Sequence, residues 1–152
     1  NNMLKKLFII MVSGLILTSC AGTKKNAGGN SIVAGSQEDL IVNVGDRVFF
    51  EFDSFELTVD AQSTLDAQTA WLKQYSEVDI TIEGHADERG TREYNLALGA
   101  KRSNAVFSYL ADSGIKATRM NTVSFGKERP EVIGSTDSAW SQNRRAVTAI
   151  TK

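Results

Sequence analysis

The feature that most constrains this chain is a strand, a polar loop and a long helix that follow one another within residues 79–111. Residues 79–83 alternate polar and apolar side chains, a pattern typical of a half-buried strand. The loop after this strand contains Gly84 and Gly90, and apolar side chains at helical spacing then continue to Leu110. The loop can fold back towards the helix, which would bring its polar side chains close to the first helical turns.

The elements around this unit predict an α+β domain. Further strands are predicted at residues 47–52, 122–125 and 145–151, and helices at residues 58–75, 93–111 and 135–143. The resulting order of the main elements is βαβαββ. Right-handed crossovers would place both long helices on one face of a small mixed sheet, which gives a two-layer sandwich.

Residues 1–19 have the composition of a signal peptide. Two lysines precede an apolar run at residues 7–17, which is too short to span a membrane comfortably. Residues 17–20, Leu-Thr-Ser-Cys, resemble a bacterial lipobox, in which the cysteine is acylated and becomes the mature N-terminus. The alternative is an ordinary cleavage site with an incidental cysteine. Lipidation is favoured because Cys20 is the only cysteine and stands where a lipobox requires it.

The charge balance argues against nucleic acid as a partner. Cleavage before Cys20 removes Lys5 and Lys6 and changes the formal net charge from −1 to −3, whereas nucleic-acid binding requires a basic face. No polybasic patch is available for anionic lipid, so membrane attachment has to come from acyl chains on Cys20. Residues 20–43, rich in Gly, Asn, Ser and Lys, predict a flexible tether that starts at the lipidated cysteine, and residues 44–152 predict one domain.

The run from Gly84 to Arg102 resembles the motif of the OmpA-like peptidoglycan-binding domain family. Its sequence is GHADERGTREYNLALGAKR, and the resemblance extends over residues 44–152. The family has the βαβαββ architecture with helices on one face of the sheet, which agrees with the element order. The resemblance implies a protein that binds peptidoglycan noncovalently and is not an enzyme.

The resemblance also implies a ligand and the residues that bind it. The family binds meso-diaminopimelate, whose side chain ends in an ammonium and a carboxylate on one carbon. Asp87 in the loop and Arg102 in the helix match the family's acceptor and its planar cation. The alternative is that the two residues form a pair that only pins loop to helix. Asp53, at the end of the first strand, resembles the family's second acidic ligand residue, or else it caps the following turn.

Four further candidates come from the same resemblance. Asn95 and Leu98 recur beside the family's site and are predicted to form pocket wall. Asn143, Arg144 and Arg145 resemble a run before the last strand, in which one arginine contacts carboxylates near the site. Asn143 and Arg145 are taken as site residues, although which of the two arginines supports the site is left open.

His85 is the only histidine, and two roles are open to it. If the strand continued, Glu83, His85 and Asp87 would share one face, as metal ligands could. No cysteine or second histidine is available there to complete a zinc site, so metal binding is disfavoured. His85 is therefore predicted to line the ligand groove or to bond to the backbone, and no cofactor is expected.

A peptidoglycan hydrolase is the alternative function. Such an enzyme needs two carboxylates, and four stand in or near the motif: Asp53, Glu83, Asp87 and Glu88. Arginines in the same run would lower their pKa values, whereas a general acid needs a raised one. The candidate nucleophiles Ser54 and Ser124 lack triad spacing with His85. Binding is therefore favoured over catalysis.

The resemblance implies a place in the cell and a protein partner. The chain would be lipid-anchored in the outer membrane, face the periplasm and couple that membrane to the cell wall. It would belong to the Tol system, support envelope integrity and cell division, and bind the system's periplasmic β-propeller protein. The loops at residues 53–56 and 88–92 crowd one edge of the predicted domain with charge. A propeller docked there would cover the peptide groove, so competition is expected.

Overall fold

This computed structural model describes residues 31–152. The signal peptide predicted at residues 1–19, the predicted lipidation site Cys20 and the start of the predicted tether lie outside the described residues. The helices are α1 (Gln37–Asn43), α2 (Val59–Gln74), α3 (Arg92–Asp112) and α4 (Asp137–Asn143), with a 3₁₀ turn at Ala117–Arg119. The strands are β1 (Arg47–Phe49), β2 (Ile80–His85), β3 (Met120–Gly126) and β4 (Arg145–Ile150). No helix in this range is long and apolar enough to cross a bilayer.

The described strands form one mixed sheet in the order β1-β4-β2-β3. Strand β2 pairs in parallel with β3, and β4 pairs antiparallel with both β1 and β2. The long helices α2 and α3 contribute to one core with the strands, because Leu65, Leu72, Val106 and Leu110 cluster with Ile80 of β2. The predicted α+β fold with both long helices on one sheet face is confirmed.

The first strand is shorter than predicted. The sequence predicts a strand over residues 47–52, whereas β1 ends at Phe49. The next two carbonyl oxygens accept hydrogen bonds from arginine side chains: Phe50 from Arg144 at 2.8 Å, and Glu51 from Arg102 at 3.2 Å. The chain therefore leaves the sheet after Phe50 and forms a loop that arginines hold in place.

Helix α1 corrects the predicted boundary between tether and domain. It lies inside the segment predicted to be flexible, residues 20–43. Its Leu40 is fully buried in the core, and the indole N–H of Trp71 donates to Asp39 at 3.1 Å. The Gln37 side chain donates to the carbonyl of Thr148 at 3.2 Å and accepts from a backbone N–H of β4 at 2.7 Å. The composition of residues 20–43 did not indicate this short helix, which buries a single large apolar side chain.

Two glycines allow α3 to lie unusually close to the sheet. A Cβ atom added at Gly84 of β2 would stand 1.7 Å from the carbonyl oxygen of Gly99 in α3. One added at Gly99 would stand 2.3 Å from the hydroxyl of Ser124 in β3. That hydroxyl donates to the carbonyl of Leu96 at 2.6 Å, which joins β3 to the same stretch of helix. These contacts fix the height of Arg102 above the end of β2.

We predict that Leu40→Ala lowers the free energy of unfolding of the full chain by about 2 to 5 kcal/mol, because it removes a large side chain from the packed core. Urea denaturation would measure the loss. The control is Ile41→Ala in the same helix, where the side chain is 48% exposed, and it should cost less than about 1 kcal/mol. Equal, small effects of both changes would show that α1 is not packed on the domain.

Candidate functional site

A pocket of about 240 Å³ lies where the loop after β1, the loop after β2 and the start of α3 meet. The residues that line this charged pocket are Phe52, Asp53, Asp87, Arg89, Gly90, Tyr94, Asn95, Leu98 and Arg102. Five of the predicted site residues are therefore brought together: Asp53, Asp87, Asn95, Leu98 and Arg102. Two carboxylates and two guanidinium groups line one small space, which suits a ligand that carries both charges.

A larger groove of about 550 Å³ lies beside β1, the start of α2 and the end of α4. None of the predicted site residues lines it, although Arg144 does. Size alone would favour this groove as the binding site. The larger groove also carries charges of both signs, from Arg47, Glu51, Asp60 and Arg144. The charged pocket is the better candidate because five of the predicted site residues line it and two of its charged groups, Asp87 and Arg102, are buried.

Arg102 is completely buried and binds backbone carbonyls instead of Asp87. Its Nε donates to Ser54 at 2.9 Å, Nη1 to His85 at 2.8 Å and Nη2 to Glu51 at 3.2 Å. Burial lowers the pKa of Arg102 to about 10, so the group remains charged at neutral pH. Arg102 thus ties the loop after β1 to the end of β2, and it is one of the residues that line the charged pocket.

The carboxylate of Asp87 is held by Arg89. Oδ1 accepts from the backbone N–H of Arg89 at 3.0 Å and from its Nε at 3.1 Å, and Oδ2 accepts from Nη2 at 2.8 Å. Burial alone would raise the pKa of Asp87, but the hydrogen bonds from Arg89 outweigh it, and the pKa lies below its ordinary value. Asp87 is therefore an anion at neutral pH, suited to accept hydrogen bonds and not to donate a proton.

Sequence reasoning missed the surroundings of Arg89. Its guanidinium carbon lies 4.0 Å from the ring centroid of Phe52 and 4.0 Å from that of Trp140, which makes two cation–π contacts. The indole N–H of Trp140 in turn donates to Glu88 at 2.9 Å. An arginine next to the motif aspartate was visible in the sequence, but its aromatic neighbours come from distant elements.

Asp53 has a left-handed backbone conformation, with φ of +53°. Such a conformation is uncommon outside glycine, and Asp tolerates it better than most residues. Its carboxylate accepts a hydrogen bond from the Tyr94 hydroxyl, and this bond raises the pKa of that tyrosine. The N-cap of α2 is Thr58, and in the turn between β1 and α2 the Ser54 hydroxyl accepts from the backbone N–H of Glu56 at 3.1 Å.

The other two pocket-wall predictions have different partners. Asn95 is buried, and its side-chain amide donates to the carbonyl of Arg89 at 2.9 Å, which holds the loop after β2 in shape. Leu98 is buried as well and gives the pocket an apolar side. Asn95 therefore acts on the pocket partly through the loop that carries Asp87.

The structure does not place the His85 side chain in the charged pocket. The ring is 2% exposed, lies against Phe125 with 5.5 Å between ring centroids, and has no hydrogen-bond partner on either nitrogen among the described residues. Its Nε2 lies 3.5 Å from a Glu83 oxygen. The register of β2 on β3 shifts between Gly84 and His85, and this shift separates the position of His85 from that of Asp87. Only the carbonyl of His85 reaches the site, as an acceptor for Arg102.

Asn143 and Arg145 also lie away from the charged pocket. The Asn143 side chain accepts from the N–H groups of residues 131 and 132 at 2.8 and 3.0 Å, and it shapes that loop. Arg145 pairs with Glu131 at 3.4 Å. Arg144 is the nearer arginine, with its Nη1 3.5 Å from Asp87. Arg144 is the C-cap that follows α4 whereas Arg145 begins β4, so the two adjacent side chains have different surroundings.

Within residues 31–152, no group of three or more His, Cys, Asp or Glu side chains is arranged to hold a metal ion. Of the three residues that a continued strand would have aligned, Glu83 and His85 lie 3.5 Å apart, whereas Asp87 follows the end of β2 at His85. Asp87 then turns into the loop and binds Arg89.

We predict that His85 makes folding pH-dependent. Burial, followed by the charges of Arg145, Arg129 and Arg47, lowers its pKa from 6.5 to about 4. Between these two values the unfolded chain binds a proton that the folded chain does not bind, so the free energy of unfolding should fall as pH falls from about 6.5 to about 4. Urea denaturation at several pH values would show this slope.

His85→Gln is the control, because it removes the titrating ring and should flatten the dependence in this window. NMR gives an independent readout, since the chain has one histidine and its ring signals need no further assignment. A ring that titrates near pH 6.5 in the folded protein would contradict the prediction.

Comparison with known proteins agrees with this geometry. Residues 49–144 match the OmpA family. The chain is 52% identical over 151 residues to the peptidoglycan-associated lipoprotein of Rhizobium meliloti, covering 93% of this chain and 85% of that protein. It is 38% identical over 145 residues to the peptidoglycan-associated lipoprotein of Haemophilus influenzae, covering 92% of this chain and 95% of that protein.

Solved structures support the same assignment. The crystal structure of the peptidoglycan-associated lipoprotein from Burkholderia pseudomallei matches with a TM-score of 0.68 at 42% identity, over 70% of this chain and 90% of that chain. The C-terminal domain of Helicobacter pylori MotB matches with a TM-score of 0.66 at 18% identity, over 70% of this chain and 84% of that chain, and this likeness concerns the fold alone. The chain belongs to the OmpA family, in its group of peptidoglycan-associated lipoproteins.

Proposed function

We propose that this chain binds peptidoglycan noncovalently through the charged pocket and couples the outer membrane to the cell wall. The observation that carries the proposal is the lining of this pocket, where Asp53, Asp87, Arg89 and Arg102 place opposite charges around one small space. The names of the relatives support the same ligand. The pKa of Asp87 lies below its ordinary value, whereas a glycan hydrolase needs a proton donor with a raised one.

The ligand group is the side chain of meso-diaminopimelate in the stem peptide. Its carboxylate faces the guanidinium side of the pocket, where Arg102 retains N–H groups that the backbone does not use. Its ammonium faces the carboxylates of Asp53 and Asp87. A stem peptide with lysine at this position has the ammonium but lacks the carboxylate, so the pocket would discriminate against it.

The anchor is Cys20, acylated after removal of residues 1–19, and the domain faces the periplasm. Individual contacts with the wall can be weak, because anchoring holds many copies near a polymeric ligand and raises the effective concentration. In this way one small pocket per molecule supports envelope integrity and cell division.

We expect Asp87→Ala and Arg102→Ala each to lower the affinity for a diaminopimelate-containing stem peptide by about 2 to 5 kcal/mol, because each leaves a ligand charge unpaired in a partly desolvated pocket. Isothermal titration calorimetry would measure this, with the lysine-containing peptide as the ligand control. Lys101→Ala is the matched protein control, since it removes a neighbouring charge in α3 that does not line the pocket.

The two variants should differ in stability. Arg102→Ala removes the side-chain donor from the carbonyls of Glu51, Ser54 and His85, the last in a buried bond, and should also lower the melting temperature, whereas Asp87→Ala should affect mainly binding. Undiminished affinity in a folded Asp87→Ala or Arg102→Ala variant would rule out the assigned pocket.

We propose the Tol-system β-propeller protein as the protein partner, bound at the rim of the charged pocket. Large apolar side chains are exposed at this rim: Phe52 at 60%, Tyr94 at 52% and Phe55 at 44%. Exposed apolar groups of this size are typical of protein-binding surfaces. A propeller docked there would cover the pocket entrance, so the protein would alternate between wall-bound and propeller-bound forms.

Saturating stem peptide should therefore weaken propeller binding, and the propeller should weaken peptide binding by the same factor, as thermodynamic linkage requires. The measurement is a titration of the full chain with propeller in the presence and absence of peptide. Propeller affinity that does not change at peptide saturation would refute the overlap of the two sites and leave both binding activities possible.

A further inference from the structure

Residues 31–43, which form α1 and the turn before it, carry apolar side chains on the surface of the domain. Four large ones are exposed by 38 to 69%: Ile32, Val33, Ile41 and Val42. These four residues are called the α1 patch. Glu38 is the one exposed charged side chain in this range, because Asp39 is buried. Exposed apolar groups in a stretch with so little charge are typical of a surface that contacts a protein or a membrane.

The packing of α1 keeps the α1 patch on the outside of the domain. The inner side of the helix is fixed by the buried Leu40 and by the hydrogen bond that Trp71 donates to Asp39. The turn before the helix is fixed as well, because the backbone N–H of Gly35 donates to the Asp39 carboxylate at 2.8 Å. The patch therefore cannot turn into the core unless these contacts break.

Helix α1 and the charged pocket lie at opposite ends of β2. The Gln37 side chain accepts from the backbone N–H of Ile150 at 2.7 Å, and Ile150 pairs with Ile80, the first residue of β2. Arg102 of the charged pocket donates to the carbonyl of His85, the last residue of the same strand. A strand of 6 residues spans about 17 Å. A surface that covers the α1 patch would therefore leave the charged pocket uncovered.

The proposed anchor keeps the α1 end of the domain near a bilayer. The sequence between Cys20 and Ile32 is rich in Gly and Asn, a composition that predicts a flexible chain. A flexible chain of about 12 residues has a root-mean-square span of about 20 Å. Each anchored molecule would thus hold its α1 patch at a high effective concentration next to lipid, so a small apolar contact is sufficient.

We propose that the α1 patch lies in the interfacial layer of the bilayer that holds the acyl chains of Cys20, so that the domain has a membrane end at α1 and a wall end at the charged pocket. The inference rests on the anchor proposed above and goes beyond it, because acyl chains on a flexible tether do not orient the domain. The occupant is lipid because the anchor holds every copy against it. Aliphatic side chains with one acidic neighbour suit the apolar boundary of zwitterionic lipid better than anionic headgroups.

The experiment uses the chain from Cys20 onward, with one alkyl chain coupled to its only cysteine. A single alkyl chain gives marginal, reversible membrane binding, so a further contact with lipid changes the measured affinity. Sedimentation with phosphatidylcholine vesicles would measure the partition coefficient. The double variant Ile41→Ser with Val42→Ser should partition about tenfold more weakly, because two aliphatic side chains no longer leave water on binding.

Val59→Ser with Ile133→Ser is the matched control. It changes the same two residue types at positions that are 82% and 92% exposed and lie outside residues 31–43. This control should partition like the wild-type chain. Equal partitioning of the wild-type chain and the α1 variant would overturn the proposal, and so would an equal loss in the control. An unacylated Cys20 in cells, detected by mass spectrometry, would refute the anchor, and that result is distinct from the vesicle result.

The two tryptophans give a second readout that leaves the α1 patch unchanged. Trp71 lies beside α1, where it bonds to Asp39, and Trp140 lies beside Arg89 of the charged pocket. Trp140→Phe and Trp71→Phe each leave one tryptophan as an energy donor. On vesicles with dansyl-labelled headgroups, energy transfer from Trp71 should exceed transfer from Trp140, because α1 faces the bilayer. Equal transfer from both, or more from Trp140, would contradict this orientation and overturn the proposal.

Discussion

The arrangement of the pocket depends on one buried guanidinium. Arg102 donates to carbonyls of Glu51 and Ser54 in the loop after β1 and to the carbonyl of His85 at the end of β2. Buried carbonyl groups need donors, and these segments meet where no strand pairing can supply them. Arg102 satisfies three at once, which explains why a charged side chain is tolerated at full burial. Together with the Arg144 bond to Phe50 and the Tyr94 bond to Asp53, Arg102 fixes the position of the loop that carries Asp53.

Arg102 can reach these carbonyls only because α3 lies so close to the sheet. The contact between Gly84 and Gly99 leaves no room for a side chain on either residue, so the backbones of strand and helix nearly touch. The Ser124 hydroxyl then fixes the same part of the helix to β3. The motif around the site thus has two functions in one run of sequence. Its glycines set the distance between α3 and the sheet, and its charged residues lie where this distance places them.

Much of this was predictable from the sequence, because local patterns determine it. Helical periodicity placed α2 and α3 within a residue of their observed ends, and the motif resemblance brought Asp87, Asn95 and Arg102 to one pocket. Predictions failed where a single tertiary contact determines the local structure. Helix α1 depends on one buried leucine, Leu40, and the choice between Arg144 and Arg145 as the arginine beside Asp87 was left open by the sequence. The aromatic partners of Arg89 come from distant elements, so no local pattern could indicate them.

Helix α1 has a mechanical consequence if the chain is anchored at Cys20 and held at the pocket. Tension between membrane and wall would enter the domain at α1, which is attached mainly by Leu40, the Trp71 contact and the Gln37 hydrogen bonds. None of the residues that line the charged pocket belongs to α1. This helix of 7 residues spans about 10 Å, and the same residues extended span about 24 Å. Detachment of α1 would therefore lengthen the chain between the anchor and the pocket by about 14 Å, while the pocket keeps its contacts with the wall.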